Sequence, residues 1–188
     1  MMEHAGRILF QEKTRHELSG PFFADYIRSV KVPKTWGDGD GWFVNYIGHP
    51  LHGAAAGRTW LMHHADRDEP VGRSRAYWGS RARAAQWAGL YSLQFEFGPL
   101  SESSIGNVGL HPNTIGWVDH VVTPAGALGI IVAEDALDQY VVRFVERHTR
   151  NRALRATARV ALNPSRALAN VADGRTPWFR TRGGTNIR

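Results

Sequence analysis

Residues 74–97 of this sequence read SRAYWGSRARAAQWAGLYSLQFEF, which is the longest helical pattern that no proline interrupts. It contains no proline, and it stops at Gly98-Pro99, a pair of residues that ends helices. The stretch therefore predicts one long helix.

Helical patterns also dominate on both sides of this stretch, whereas strand patterns are scarce. Loops are predicted at residues 31–41 and 98–116, which are rich in glycine and proline. We expect an all-α fold: a single compact domain of Gly/Ala-rich, partly kinked helices over residues 1–172, with a basic C-terminal helical segment and a Gly/Arg-rich tail at 173–188. The other helices are predicted at 3–18, 21–31, 42–64 with a kink or break at Pro50, 117–150, 151–162 and 164–172.

Composition excludes several classes of protein. The 188 residues suffice for one hydrophobic core, and 43% apolar with 21% charged residues excludes wholesale disorder. The absence of cysteine excludes disulfide scaffolds, thiol catalysis and iron–sulfur clusters. The GxSxG, GxxxxGK and HExxH motifs are also missing. The sequence assigns no cofactor and no metal site.

Positive charge is concentrated near the C-terminal end. Residues 143–188 hold eleven arginines and two carboxylates, a net +9 that leaves −3 for residues 1–142 out of a total of +6. Six of these arginines form two helical stripes beside apolar residues, a pattern typical of a helix on an anionic membrane surface. The alternatives are solvated helix faces and, with few interleaved aromatics, a nucleic-acid backbone. The stripes are Arg143, Arg147 and Arg150, then Arg152, Arg155 and Arg159.

No uncharged run is long enough to cross a bilayer unaided, because the longest, 41–57 and 120–133, are broken or short. The start, MMEH, lacks the features of a signal peptide. We expect a protein that is peripheral to or associated with the membrane of the cell envelope, or a cytoplasmic one if this start is the true start and no signal exists.

Three carboxylates fall within apolar patterns. Glu96 lies between two phenylalanines, and Glu134 lies on an apolar helical stripe. Asp119 and Thr123 are four residues apart, which places them on one face if that stretch is helical. A buried charge is costly unless it is paired or hydrogen-bonded. Each acid therefore requires an arginine partner, a helix-terminus hydrogen bond, a metal or a catalytic role, of which structural ion pairs are the first interpretation.

Two histidines, His49 and His52, lie on either side of Pro50 in an apolar stretch. They could bind a metal if carboxylates from elsewhere completed the site, but histidines satisfied by neighbouring groups are the simpler interpretation. The nearby Asp38-Gly39-Asp40-Gly41 is interpreted as a turn, because Trp42 occupies the third ligand position of a calcium loop.

Gly53 and Gly57 lie on one face of a predicted helix. Their spacing permits a second helix to approach closely. We expect tight helix packing there, either within the chain or between two copies of it in a homo-oligomer.

Four segments carry a resemblance: NYIGHPLHG at 45–53, QFEFG at 94–98 with Ser101-Glu102, DHVVTP at 119–124 and VAEDALD at 132–138. They are similar to an uncharacterised family of bacterial envelope proteins, of the acidobacterial hypothetical type, with an NYxxHPxxG…EYG…E…DLxxTPxxG…GE-like pattern. The resemblance implies an envelope location and no particular activity. This chain has Ala-Glu-Asp where many relatives have Gly-Glu. The motif residues map onto Asn45, His49, Glu96, Glu102, Asp119, Thr123 and Glu134.

Three functions remain open. The first is an envelope-associated binding or structural component, whose basic region faces an anionic membrane surface or an envelope protein and includes Arg143, Arg147, Arg150, Arg155 and Arg159. The second is a hydrolase or metal-dependent enzyme, with candidate catalytic residues His49, Glu96, Glu102, Asp119 and Glu134 and candidate binding residues Asn45 and Thr123. The third is a nucleic-acid binder.

Overall fold

Helices joined by loops make up the described part of the chain. The computed structural model describes residues 20–31, 33–64, 70–98, 101, 103–104 and 114–180, among which there is no strand. The all-α prediction is therefore confirmed. The predicted helix at 3–18 lies outside the described residues, as does most of the predicted loop at 98–116. The helices are α1 (Phe22–Ser29), α2 (His49–Met62), α3 (Arg75–Phe97), α4 (Val118–Leu137), α5 (Arg143–His148), α6 (Arg152–Leu162) and α7 (Pro164–Ala172).

A π-helical segment, Val44–Gly48, directly precedes α2, so residues 42–62 form one continuous helix that contains Pro50. At the end of this segment His49 donates its backbone N–H to the carbonyl of Val44, five residues earlier. The wider turn accommodates a proline that has no N–H to donate. The break expected at Pro50 therefore does not occur.

A second π-helical segment, Asp138–Val142, joins α4 to α5. Val118–His148 is consequently one helix of 31 residues, although Pro124 lies inside it. A helix of this length extends for about 46 Å.

Helices α2, α3 and α4 pack together through small side chains. A Cβ placed on Gly53 would lie 2.7 Å from Cγ2 of Thr123, and one on Gly57 would lie 2.9 Å from the carbonyl oxygen of Ala84. The Gly53/Gly57 face is therefore filled by α4 and α3 of the same chain, and the expectation of a homo-oligomer through this face is wrong. The core consists of Ala54, Leu61, Ala84, Ala88, Ala127 and Ile131.

Three of the described helices begin at a side chain that accepts a hydrogen bond from the first turn of the helix. Ser74 accepts a hydrogen bond from the backbone at the start of α3, and Asn151 does the same for α6. Asn163, which occupies the capping position before α7, makes no such bond. Glu134 of α4 caps α7 instead, because its Oε1 accepts the backbone N–H of Ser165 at 2.7 Å.

The chain after α7 folds back on the helices as far as residue 180. Asn170 donates from Nδ2 to the carbonyls of Pro177 and Phe179 at 2.9 and 3.0 Å. Arg159 of α6 donates to the carbonyl of Trp178 at 3.0 Å. Residues 173–180 are thus held against α6 and α7.

Candidate functional site

The loop at 33–41 lies over the first turn of α4. Trp117 and Val118 donate their backbone N–H groups to the carbonyls of Thr35 and Trp36, at 3.1 and 2.9 Å. These bonds occupy donors that a helix N-terminus leaves open. The loop is thereby fixed beside the side chains that α4 carries in its first turn.

Within this loop, a tight turn sets the position of Asp38. Its Oδ1 accepts the backbone N–H of Asp40 at 3.0 Å and Nδ2 of Asn45 at 2.8 Å. Gly39 adopts a φ of 92°, which glycine tolerates without steric cost. The predicted turn is present, and it directs the carboxylate of Asp38 toward Asp119, with which it shares a hydrogen bond.

We use the name His49 centre for Asp38, Asn45, His49, Glu96 and Asp119. The imidazole Nδ1 of His49 lies 3.3 Å from Oδ1 of Asp119. Asp119 is only 4% exposed and is hydrogen-bonded to the carboxyl groups of both Asp38 and Glu96. Carboxyl groups in such close contact cannot all be ionised.

Asp119 is the member of the centre that keeps its proton. Burial raises the pKa of Asp119 to about 10, and the hydrogen bond with Asp38 and the charge of Glu96 act in the same direction. Burial would also raise the pKa of Asp38, but hydrogen bonds from Asp119 and Asn45 outweigh it and lower that pKa. At neutral pH a protonated Asp119 therefore donates a hydrogen bond to an ionised Asp38, as a buried acid in an apolar site can.

His120 occupies the neighbouring side of this helix turn. Its Nε2 lies 3.6 Å from Oε2 of Glu96, and its ring packs against Phe97 with centroids 5.2 Å apart. Burial lowers the pKa of His120, so this imidazole is neutral at physiological pH.

A pocket of about 230 Å³ adjoins the His49 centre. His49 belongs to both, because its Nδ1 lies 3.3 Å from Asp119 and its side chain lines the pocket. Thr123 is 2% exposed, and its Oγ1 has no hydrogen-bond partner. The lining residues are Phe43, Val44, Gly48, His49, His52, Tyr91, Ser92, Phe95 and Thr123.

Among the described residues, no group of three or more histidines and carboxylates is arranged to hold a metal ion. The arrangement of the His49 centre instead suits acid–base chemistry, with one neutral carboxylic acid beside an imidazole.

Glu134 does not belong to this centre. It follows Asp119 by fifteen positions on the same helix, which separates them by about 22 Å. Its Oε2 accepts from Oγ of Ser165 at 2.5 Å and from Arg58 at 3.2 Å. Glu134 therefore lies apart from His49, Glu96 and Asp119, and it forms the kind of ion pair that was the first interpretation of the buried acids. Glu102 lies outside the described residues.

Arg58 and Arg81 reach the carboxylate of Asp135 beside Glu134, in the interior between α2, α3 and α4. Arg58 Nη1 lies 2.6 Å from Oδ1, and Arg81 Nε and Nη2 lie 2.9 Å from Oδ2. Burial would raise the pKa of Asp135, but the charges of Arg58, Arg81 and Arg166 hold it below its usual value. The sequence did not single out Arg58 or Asp135. This ion-pair network continues through Asp138, Glu146, Arg159, Arg166 and Arg180.

The predicted arginine stripes are only partly at the surface. Arg159 is 5% exposed, and its Nε lies 2.5 Å from Oε1 of Glu146, so its predicted place on an outward stripe is wrong. Arg155 is half-buried. We use the name basic corner for the exposed arginines between the start of α5 and the start of α6: Arg143, Arg147, Arg150 and Arg152.

The helix Val118–His148 has an apolar exterior and a charged interior. Over residues 118–142 every exposed side chain is apolar or glycine, whereas the four carboxylates in that range are at most 6% exposed. The helix is long and apolar enough to cross a membrane, with a mean hydropathy of 1.3 in a window of which only 28% is buried. The apolar outer face comprises Val121, Ala125, Gly129, Ala133, Leu137, Tyr140 and Val141.

Comparisons with protein-family models, with curated proteins and with solved structures find no match to this chain.

Proposed function

We propose that this protein is an envelope-associated helical protein that lies against an anionic membrane and acts there as a binding or structural component. The observation that carries this proposal is the apolar outer face of the helix Val118–His148, whose carboxylates are buried. Water-soluble domains keep ionised groups outside, whereas lipid-facing helices turn them inward. The outer face would contact the acyl chains of the lipid.

The basic corner supports the same orientation. It follows the outer face directly along the chain, so an apolar surface is bordered by cations. This combination binds anionic lipid through buried apolar area together with attraction to headgroups. Arg159, Arg166 and Arg180 form ion pairs with Glu146 and Asp135. They therefore contribute little to the exposed basic surface that a nucleic acid would require.

Vesicle flotation tests the proposal. The protein is expected to float with vesicles that contain phosphatidylglycerol, more weakly with pure phosphatidylcholine, and less at high salt because screening weakens the attraction to headgroups. The double variant Arg147→Gln, Arg150→Gln removes two cations of the basic corner. At about 1 kcal/mol per cation, its partition into anionic vesicles should fall roughly 30-fold.

The matched control removes two exposed arginines elsewhere, in the variant Arg28→Gln, Arg73→Gln. It changes the net charge equally and should retain most of the binding. An equal loss of binding in both variants would show that binding depends on net charge and not on the basic corner. If the wild-type protein binds neither type of vesicle, the proposal is rejected.

A further inference from the structure

The pocket beside the His49 centre has the size and the walls for a short hydrocarbon chain. Cavities of about 150 Å³ take up benzene, and this pocket measures about 230 Å³. Phe43, Val44, Tyr91 and Phe95 contribute its apolar walls. Phe43 and Val44 are also 67% and 39% exposed, so the pocket opens among apolar side chains where a longer chain can continue.

One end of the pocket offers a donor that the protein does not use. The methyl carbon Cγ2 of Thr123 packs against Gly53, while its hydroxyl is buried and has no hydrogen-bond partner. A buried polar group without a partner is costly. A ligand with a hydrogen-bond acceptor at this end would remove that cost, and His49 lines the pocket as a second polar contact.

The charges around this end determine which acceptor fits. Asp38, whose pKa is lowered, and Asp40, which is half-exposed and lies 3.9 Å from His49, bring negative charge close to it. A carboxylate head would be repelled by them, whereas a neutral carbonyl would not. The pocket therefore favours a neutral acyl compound over a fatty-acid anion.

We propose that this pocket binds acyl esters, with the hydrocarbon chain among Phe43, Val44, Tyr91 and Phe95 and the ester carbonyl beside Thr123 and His49. The site is separate from the membrane contact proposed above, because it lies among α2, α3 and the start of α4 and does not involve the basic corner. Acyl esters occur both as small soluble molecules and as lipids, and the test distinguishes these sources.

Calorimetric titration tests the ligand class, with the protein in a steroid-based detergent whose rigid rings are too large for the pocket. The probes are 1-octanoylglycerol, octanoate and dioctanoyl phosphatidylcholine. We expect 1-octanoylglycerol to bind at least tenfold more tightly than octanoate. Tighter binding of the phosphatidylcholine than of the glycerol ester would indicate a lipid ligand, and weaker binding a small soluble one. Tighter binding of octanoate than of both esters, or no binding of either ester, would overturn the proposal.

Two pairs of variants locate the ligand. Gly48 lines the pocket, and a Cβ there would meet only the carbonyl of Phe43 at 3.8 Å, so Gly48→Leu should fill the pocket and weaken ester binding at least tenfold. The control Gly129→Leu adds the same side chain where nothing lies within 4 Å, and it should bind as the wild type does. Wild-type affinity in Gly48→Leu would overturn the proposed location.

Thr123→Val replaces the unpaired hydroxyl with a methyl group of similar size. Ester binding should weaken roughly fivefold, as for one neutral hydrogen bond, while the stability of the protein is retained or rises. The control Thr59→Val removes a hydroxyl that donates to the carbonyl of Ala55 on α2, away from the pocket. Equal ester affinities in the two threonine variants would contradict the placement of the carbonyl at Thr123.

Discussion

Asp119 is the residue whose chemistry depends most on the fold. In the unfolded chain its pKa is that of an ordinary aspartate, whereas in the folded protein burial and the neighbouring carboxyl groups raise the pKa to about 10. The folded state therefore holds a proton that the unfolded state has released over the range between these two values. Stability contributed by this proton is present below the unfolded pKa and is lost progressively as the pH rises toward the folded one.

The variant Asp119→Asn tests this linkage. An amide stays neutral at every pH, so the fall in unfolding free energy between about pH 6 and about pH 9 should be smaller than in the wild type. At the higher pH the variant should be the more stable of the two. Urea unfolding at both pH values measures the difference.

Asp25→Asn, on the half-exposed side of α1, is the control for this change and should keep the wild-type pH dependence. An Asp119→Asn variant with the full wild-type slope would show that Asp119 ionises like an exposed carboxylate.

Sequence alone identified part of the His49 centre, because an acid between aromatic or apolar residues is visible in a local pattern. Glu96 and Asp119 were found in this way. Asp38 was interpreted only as a turn, since a DGDG segment gives no sign of which carboxyl group it will meet. Arg58 resembles any other arginine of a basic chain, and its role follows only from the approach of α2 to α4.

At the scale of the elements, helix boundaries were predictable where the signal is local. The predicted starts of α3 and α6 agree with the structure within a residue, because Ser74 and Asn151 cap them. The two π-helical segments were not predicted, since no residue pattern marks a single wide turn. The first segment, Val44–Gly48, explains why the helix continues through Pro50 instead of ending there.

Some helical glycines are in close contact with a neighbouring helix, whereas others face open space. A matched pair of substitutions distinguishes the two kinds. Gly57→Ala would place a Cβ 2.9 Å from the backbone oxygen of Ala84, which cannot move aside, and should destabilise the protein by about 1–3 kcal/mol. Gly129→Ala has open space and should stabilise α4 by about 1 kcal/mol through helix propensity. Thermal or urea unfolding of both variants measures the changes. Equal effects of the same sign would contradict the close packing of α2 against α3.

At the scale of the whole molecule, the all-α fold was predictable, but the placement of the charges was not. In the sequence, the uncharged segment that begins at residue 120 ends at Glu134. The sequence does not show whether this carboxylate faces the protein interior or water. In the structure Glu134, Asp135 and Asp138 are buried in ion pairs, so the exterior of the helix remains apolar past this point. The feature that supports membrane contact is thus a property of the tertiary arrangement.

Single-site labelling measures the contact between the apolar outer face and lipid. The chain has no cysteine, so Ala125→Cys, Ala133→Cys and Ala172→Cys each give one labelling site for an environment-sensitive fluorophore. Ala125 and Ala133 lie on the outer face, and Ala172 is an exposed residue at the end of α7. On addition of phosphatidylglycerol vesicles, emission should shift to the blue at Ala125 and Ala133 and remain unchanged at Ala172. Vesicle-bound protein whose labels at positions 125 and 133 still report water would show that the outer face does not contact lipid.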